Sequence, residues 1–69
     1  MAKFKKGDII IEDDWQIILI LYKNKTMYDI QILKILHNAN QNYGYIAYNI
    51  EHVDRWYRLI TNLEKIKYL

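Results

Sequence analysis

Residues 15–22 have the sequence WQIILILY, and this run decides the fold class. Its apolar residues are too continuous for a strand that has one face in water, so we predict a central β-strand that is covered on both faces. A polar turn, Lys-Asn-Lys at 23–25, follows the run, and Asn24 can tolerate positive φ there. The run is therefore expected to form a hairpin with the segment after the turn.

A shorter strand is predicted before this run. The Lys-Gly-Asp sequence at 6–8 is a turn signal, and the three isoleucines at 9–11 favour a strand. Three adjacent carboxylates at 12–14 then belong in a solvated loop that joins this strand to the central one.

The segment at 26–36 permits two interpretations. Residues 28–32 alternate between apolar and polar, which is the period of a strand, whereas the apolar positions from Ile32 onward fit helical spacing. We favour a strand with a bulge near Leu33 that shifts the register. A helix over residues 29–39 is the alternative, and it would give a different α+β fold.

Three shorter elements are predicted after residue 42. A fourth strand covers 43–50, a helical turn lies near 51–56 and a brief fifth strand covers 57–60. The helical turn is indicated by two pairs of opposite charges that are spaced four residues apart. These pairs are Glu51 with Arg55 and Asp54 with Arg58.

A short C-terminal helix is predicted over residues 62–69. Thr61 with Glu64 three residues later is a capping-box pattern, which marks the start of a helix. Because a helix of two turns is unstable alone, its apolar residues are expected to dock on the body of the fold or on a partner. These residues are Leu63, Ile66 and Leu69.

Five strands with a helical turn before the last outline a small five-stranded SH3-like barrel, a mostly-β fold that occupies residues 1–69 as one domain. The sequences FKKGDII at 4–10 and YNIEHVDRWYRLI at 48–60 resemble the small SH3-like proteins that are common in phages and mobile elements of low-GC bacteria. Those proteins often begin with Phe-x-x-Gly-Asp and end with an aromatic strand, Val-Asp and an aromatic-rich strand. The resemblance implies the fold and a phage protein in the cytoplasm of a bacterial host, but no particular activity. The extension past Ile60 departs from the pattern.

The composition of the 69 residues restricts the function classes. Apolar residues make up 52%, which is enough for a folded domain, and the absence of Cys excludes disulfides and thiolate metal sites. Ten basic and eight acidic residues are too balanced to indicate nucleic-acid binding from charge alone. The longest apolar run is far too short to span a membrane, so no membrane partner and no signal peptide are expected.

Catalytic and metal sites are not predicted. The chain has no Ser and no Cys, and its two Thr and two His do not suggest a nucleophile with a base. The carboxylates at 12–14 project in different directions, and the acidic residues near His52 have generic spacing for a metal site. We therefore expect no enzyme activity, no metal and no cofactor.

The aromatic residues are the most informative feature for function. Seven Tyr, two Trp and one Phe exceed what so small a core can hold, so some should lie on the surface, where Tyr and Trp are favoured as interface anchors. The alternative is that they fill the core. The predicted binding surface consists of Trp15, Tyr43, Tyr45, Trp56 and Tyr57, with Asp13 and Asp14 at its rim.

Two function classes stay open. The first is a non-catalytic binding protein that docks on a host protein and inhibits or redirects it. The second is a nucleic-acid-binding small barrel, in which aromatic rings stack on bases and basic residues contact phosphates. The basic residues considered are Arg55, Arg58, Lys23, Lys25 and Lys34. In either class, an Ile-rich edge strand would invite a second copy of the chain to pair as a homodimer.

Overall fold

The computed structural model describes residues 2–36 and 45–69. Their fold is mostly β, with one antiparallel five-stranded sheet and two short helices, as the sequence predicts. In chain order the elements are β1 (Ile9–Glu12), β2 (Gln16–Lys23), β3 (Met27–Ile35), β4 (Tyr45–Asn49), α1 (Ile50–Trp56), β5 (Arg58–Leu59) and α2 (Asn62–Tyr68). Across these two ranges, no helix is long and apolar enough to cross a bilayer.

The strand order in the sheet is β4-β3-β2-β1-β5. The first four strands pair with their neighbours in sequence, and β5 returns to pair antiparallel with the outer side of β1. Within the described ranges, β4 and β5 have one neighbour each. They are therefore the two edges of an open sheet.

The segment that permitted two interpretations is a strand, β3, and the helical alternative is excluded. The register between β2 and β3 shifts after Ile17, and Leu33 is left without a cross-strand partner, which is the predicted bulge. Because the bulge moves the register by one residue, Ile32 and Ile35 are both buried in the core although they lie three positions apart. This spacing is the feature that suggested a helix in the sequence.

The central position of β2 is confirmed. β2 lies between β1 and β3, and Ile17 and Ile18 are both fully buried. Adjacent residues of a strand point to opposite faces, so both faces of β2 are covered at this point. Ile18 belongs to the main core cluster, whereas Ile17 lies opposite Ile11 of β1 on the other face.

The main core combines the inner face of the sheet with residues from the flanking segments. Side chains of β1, β2 and β3 supply most of it, and the N-terminal segment, α1 and the residue before β5 supply one residue each. Its members are Phe4, Ile10, Ile18, Ile20, Tyr28, Ile30, Ile32, Ile35, Val53 and Tyr57.

The hydroxyl of Tyr28 connects β3 to α1 and to the N-terminal segment. It donates to Oδ1 of Asp54 at 2.7 Å and accepts from the backbone N–H of Phe4 at 3.0 Å. Burial and the adjacent Asp54 carboxylate raise the pKa of Tyr28 to about 12, so the hydroxyl keeps its proton near neutral pH. The predicted pairing of Asp54 with Arg58 is wrong, because Asp54 binds Tyr28 and the backbone N–H of Lys3.

Gln16 is a buried polar residue that links distant strands. Its side-chain amide donates to the hydroxyl of Tyr48 at 2.9 Å and to the hydroxyl of Tyr57 at 2.7 Å. Gln16 therefore joins the start of β2 to β4 and to the residue before β5. Burial raises the pKa of Tyr57, so its hydroxyl stays neutral as well.

The turns are stabilised by local side-chain hydrogen bonds. Oδ1 of Asn24 accepts from the backbone N–H groups of Thr26 and Met27 and closes the turn between β2 and β3. Asn24 does not use the positive φ that it can tolerate; among the described non-glycine residues, Asp14 adopts it, with φ of 62° in the turn between β1 and β2. Asn49 caps the N-terminus of α1.

Candidate functional site

Arg58 of β5 binds two acidic residues from different parts of the chain. Its Nη2 lies 2.6 Å from Oδ1 of Asp13 in the turn between β1 and β2, and its Nη1 lies 2.8 Å from Oε1 of Glu64 in α2. The guanidinium lowers the pKa of Glu64 to about 2, and the two carboxylates raise the pKa of Arg58. The acidic turn, the edge strand β5 and the first turn of α2 are therefore held together by one side chain.

The predicted capping box at the start of α2 is confirmed. Oγ1 of Thr61 accepts from the backbone N–H of Glu64 at 3.2 Å, and Oε1 of Glu64 accepts from the backbone N–H of Thr61 at 2.9 Å. Glu64 thus caps the helix and binds Arg58 with the same carboxylate. This double role sets which side of α2 faces the sheet.

The orientation of α2 leaves its apolar side in solvent. Glu64 and Tyr68 lie four residues apart, so they share one side of the helix, and both are half-buried. The opposite side carries the residues that we call the apolar stripe, Leu63, Ile66 and Leu69. Leu63 is 79% exposed and Ile66 is 81% exposed, and no residue of α2 is buried. Of the two predicted covers of the stripe, the body of the fold is therefore excluded, and the partner stays a prediction.

Two lysines border the apolar stripe. Successive helical residues are rotated by about 100°, which places Lys67 on one side of the stripe and Lys65 on the other. Both lysines are exposed, and the ammonium group of Lys67 lies 5.1 Å from the ring centroid of Tyr68. The acidic residue of the same helix, Glu64, is already bound by Arg58. The surroundings of the stripe are therefore cationic.

Four of the predicted binding residues lie on the surface. Trp15 is 48% exposed in the turn between β1 and β2, and Trp56 is 57% exposed at the end of α1. Asp13 and Asp14 are exposed in the same turn as expected, but Asp13 binds Arg58 of this chain. The Asp13 carboxylate is therefore bound to β5 of the same chain.

Tyr57 is not part of an exposed surface. Its side chain is 3% exposed and its hydroxyl binds Gln16, so its predicted place at the binding surface is corrected to the core. Tyr45 opens β4, and Tyr43 lies outside the described residues. Some aromatic residues therefore fill the core, as Tyr28 and Tyr57 do, and others lie on the surface, as Trp15 and Trp56 do.

Sequence reasoning missed Arg58 and Glu64 as the residues that orient α2. Arg58 was assigned to Asp54, which has the favourable four-residue spacing but is bound by Tyr28. The apolar stripe, in contrast, had a signal. A two-turn helix with three apolar residues at three-residue spacing requires a cover, and the sequence leaves open which surface supplies it.

A second feature of the surface is basic and partly aromatic. The ammonium group of Lys6 lies 5.5 Å from the ring centroid of Tyr22, which is exposed at the end of β2. Lys23 is the last residue of that strand, and Lys25 lies in the turn that follows it. They border a shallow groove of about 500 Å³ that is also lined by Glu51 and Asp54 of α1 and has no single charge character.

Neither metal chemistry nor a known relative identifies the site. In residues 2–36 and 45–69, no three side chains of His, Cys, Asp or Glu are arranged to hold a metal ion. No family model, curated protein or solved structure matches the chain. The function must therefore be inferred from the surface of the molecule.

Proposed function

We propose that this chain is a non-catalytic binding module that docks on another protein through the apolar stripe of α2. The observation that carries the proposal is the outward orientation of Leu63 and Ile66, while Glu64 of the same helix binds the body of the fold. Exposed apolar clusters with a polar border are typical of interaction sites. Short helices with apolar residues at three-residue and four-residue spacing commonly bind in grooves of partner proteins.

The stripe is ready to bind before any partner arrives. Arg58 and the capping box hold α2 in place, so few side chains need to be ordered on binding. Full burial of an aliphatic side chain contributes about 1.5–3 kcal/mol. Leu63, Ile66 and Leu69 together thus supply a central apolar anchor for a modest interface.

The charges around the stripe select the chemistry of the partner. Lys65 and Lys67 border the stripe on both sides, and complementary charges favour the correct partner and speed its encounter. We therefore propose a partner groove that is apolar at its floor and acidic at its rim. A second copy of α2 would bring lysines against lysines, which disfavours the stripe as a self-association surface.

We also propose a fold family and a biological source for the chain. The strand order β4-β3-β2-β1-β5, with α1 before β5, supports an SH3-like barrel. The resemblance to small SH3-like proteins of phages and mobile elements then suggests an accessory factor that acts in a bacterial cytoplasm. Such a factor would inhibit or redirect the host protein on which it docks.

Comparative affinity capture from a bacterial host lysate tests the protein-binding proposal. The bait is the full chain, and the matched baits are the double variant Leu63→Gln/Ile66→Gln and the control Asn62→Gln. We expect one specific partner that the wild type and the control retain and that the double variant loses at least tenfold. The purified partner should also bind Lys65→Glu/Lys67→Glu more weakly. The proposal fails if no specific partner is captured or if the double variant retains it.

A nucleic-acid-binding barrel is the second candidate, and it is favoured by the contact of Lys6 with exposed Tyr22 beside Lys23 and Lys25. Arg58, one of the basic residues considered for phosphate binding, binds Asp13 and Glu64 instead, so it is no longer expected to contact phosphates. Fluorescence titration with single- and double-stranded DNA and RNA at low salt is the test. Binding that weakens steeply with salt and is lost in Tyr22→Ala would support it, and no binding rejects it.

A further inference from the structure

Among residues 2–36 and 45–69, β3 is the one strand that pairs with β4, so β4 (Tyr45–Asn49) is an edge of the sheet there. This strand has no charged residue. The surrounding sequence from 38 to 50 also contains no charged side chain, although charged residues make up 26% of the chain. Natural edge strands are commonly protected from pairing by charges, proline, bulges or very short length. Here β4 has five residues and no proline, and its pairing with β3 proceeds without a register shift.

The backbone of β4 directs hydrogen-bonding groups towards this edge. The N–H of Ile50 donates to the carbonyl of Thr26, which precedes β3. In an antiparallel ladder, residues alternate between backbone groups that face the neighbour and backbone groups that face away. Ala47, three positions before Ile50, therefore directs its N–H and C=O away from β3. The side chain of Ala47 is small and exposed, so it adds little bulk beside these backbone groups.

We propose that β4 pairs antiparallel with β4 of a second copy of this chain. A two-fold axis at Ala47 sets the two Ala47 residues opposite each other and aligns Ile46 with Tyr48 of the second copy. The outward N–H and C=O of one Ala47 match the outward C=O and N–H of the other, and no like charges meet across the axis because the strand is neutral. Ile46, which is 39% exposed, gains an apolar neighbour.

This pairing is closed and leaves the apolar stripe free. It uses β4 of both copies, so no further chain can add at that edge. The sheet then ends at β5 on both sides, and β5 has only two residues. The pairing uses backbone groups of β4, whereas the apolar stripe lies on α2 after β5, so the two proposed contacts use different residues.

Sedimentation equilibrium from micromolar to millimolar concentration tests the pairing on the full chain. We expect a monomer–dimer equilibrium for the wild type and for the control Ala47→Thr, whose side chain is neutral and favours strands. Ala47→Lys places two ammonium groups opposite each other and should weaken the dimer about tenfold or more. Ala47→Pro removes the outward donor without removing a bond to β3 and should have the same effect. Circular dichroism checks that each variant is folded.

Amide hydrogen exchange at Ala47 gives an independent readout. Its N–H should become more protected as the protein concentration rises, whereas an interface elsewhere would leave it unchanged. The inference is overturned if the wild type stays monomeric at millimolar concentration or if Ala47→Lys dimerises like the wild type. Leu63→Gln/Ile66→Gln should keep the dimer. Loss of the dimer in that variant would move the interface to the stripe and also overturn the inference, whatever the outcome of partner capture.

Discussion

The two edges of the sheet present different groups to solvent. At β4, five uncharged residues leave backbone donors and acceptors directed outward. At β5, the strand has two residues, and the side chain of Arg58 binds Asp13 and Glu64. The first edge is suited to pairing with another strand, and the second edge is suited to positioning a helix.

This difference shows two ways in which a small sheet can carry an interaction surface. Shortness and charge at β5 are the features that prevent strand pairing, and the same charges orient α2 with its apolar stripe outward. At β4 those features are missing. Both regions nevertheless depend on Gln16, whose amide binds Tyr48 in β4 and Tyr57 before β5.

Among the changes at the two edges, the largest expected effect is on the link between them. Gln16→Leu removes both hydrogen bonds of the amide and leaves the buried hydroxyl of Tyr57 without its donor. Each hydrogen bond contributes about 0.5–1.5 kcal/mol, so we expect a loss of about 1–3 kcal/mol in the free energy of unfolding. Urea denaturation followed by tryptophan fluorescence measures it.

The control is a variant that removes one of the two hydrogen bonds of the Gln16 amide. Tyr48→Phe deletes one hydroxyl at a half-buried position and leaves the bond between Gln16 and Tyr57 intact, so we expect a cost of about 1 kcal/mol. Equal losses for Tyr48→Phe and Gln16→Leu would show that the two edges are not joined through this amide.

The fold was largely predictable from local patterns, and the bulge at Leu33 explains the point of ambiguity. A one-residue register shift changes a period of two into a step of three, which imitates helical spacing between Ile32 and Ile35. The choice of a strand over a helix rested on the alternation of apolar and polar residues at 28–32, before the bulge. The capping box at Thr61 was also predictable, because its two hydrogen bonds join residues within one helical turn.

The candidate site was less predictable because it depends on long-range contacts. Asp13 and Arg58 are far apart in sequence, and neither spacing nor charge count shows that they meet. Tyr57 and Trp56 are adjacent aromatic residues with opposite environments, one buried and one exposed. Which of the two side chains is buried depends on where α1 ends and on the hydrogen bond from the Gln16 amide to Tyr57. Neither of these features can be read from the sequence pattern.

The next effect concerns the attachment of α2 at the β5 edge. Thr61→Ala removes the acceptor for the backbone N–H of Glu64, and loss of an N-cap costs about 1 kcal/mol of helix stability. Because α2 buries none of its residues, we expect local opening of α2 without a matching change in global unfolding. Hydrogen exchange of the α2 amides should accelerate several-fold, and exchange in β2 should not change. Thr61→Ser keeps the acceptor and should behave like the wild type.

A pH titration examines the same attachment through Glu64. The pKa of Glu64 is lowered from about 4.5 to about 2, first by Arg58 and then by the backbone of Thr61. A lowered pKa means that the carboxylate stabilises the fold above about pH 4.5 and that this contribution is lost as the pH falls towards 2. Amide chemical shifts of α2 should therefore change between these values. Glu64→Gln should remove the transition, and a transition that persists in this variant would assign it to another group.

The smallest expected effect is on stability when the apolar stripe is removed. Leu63→Gln/Ile66→Gln replaces side chains that are exposed in the free protein, so we expect the free energy of unfolding to stay within about 0.5 kcal/mol of the wild type. Ile10→Ala at a fully buried site of β1 is the contrast and should cost about 2–5 kcal/mol. A large loss in the double variant would mean that the stripe packs on this chain. Unchanged stability together with lost partner capture is the combination that distinguishes a binding surface from a structural one, because only binding then depends on the two side chains.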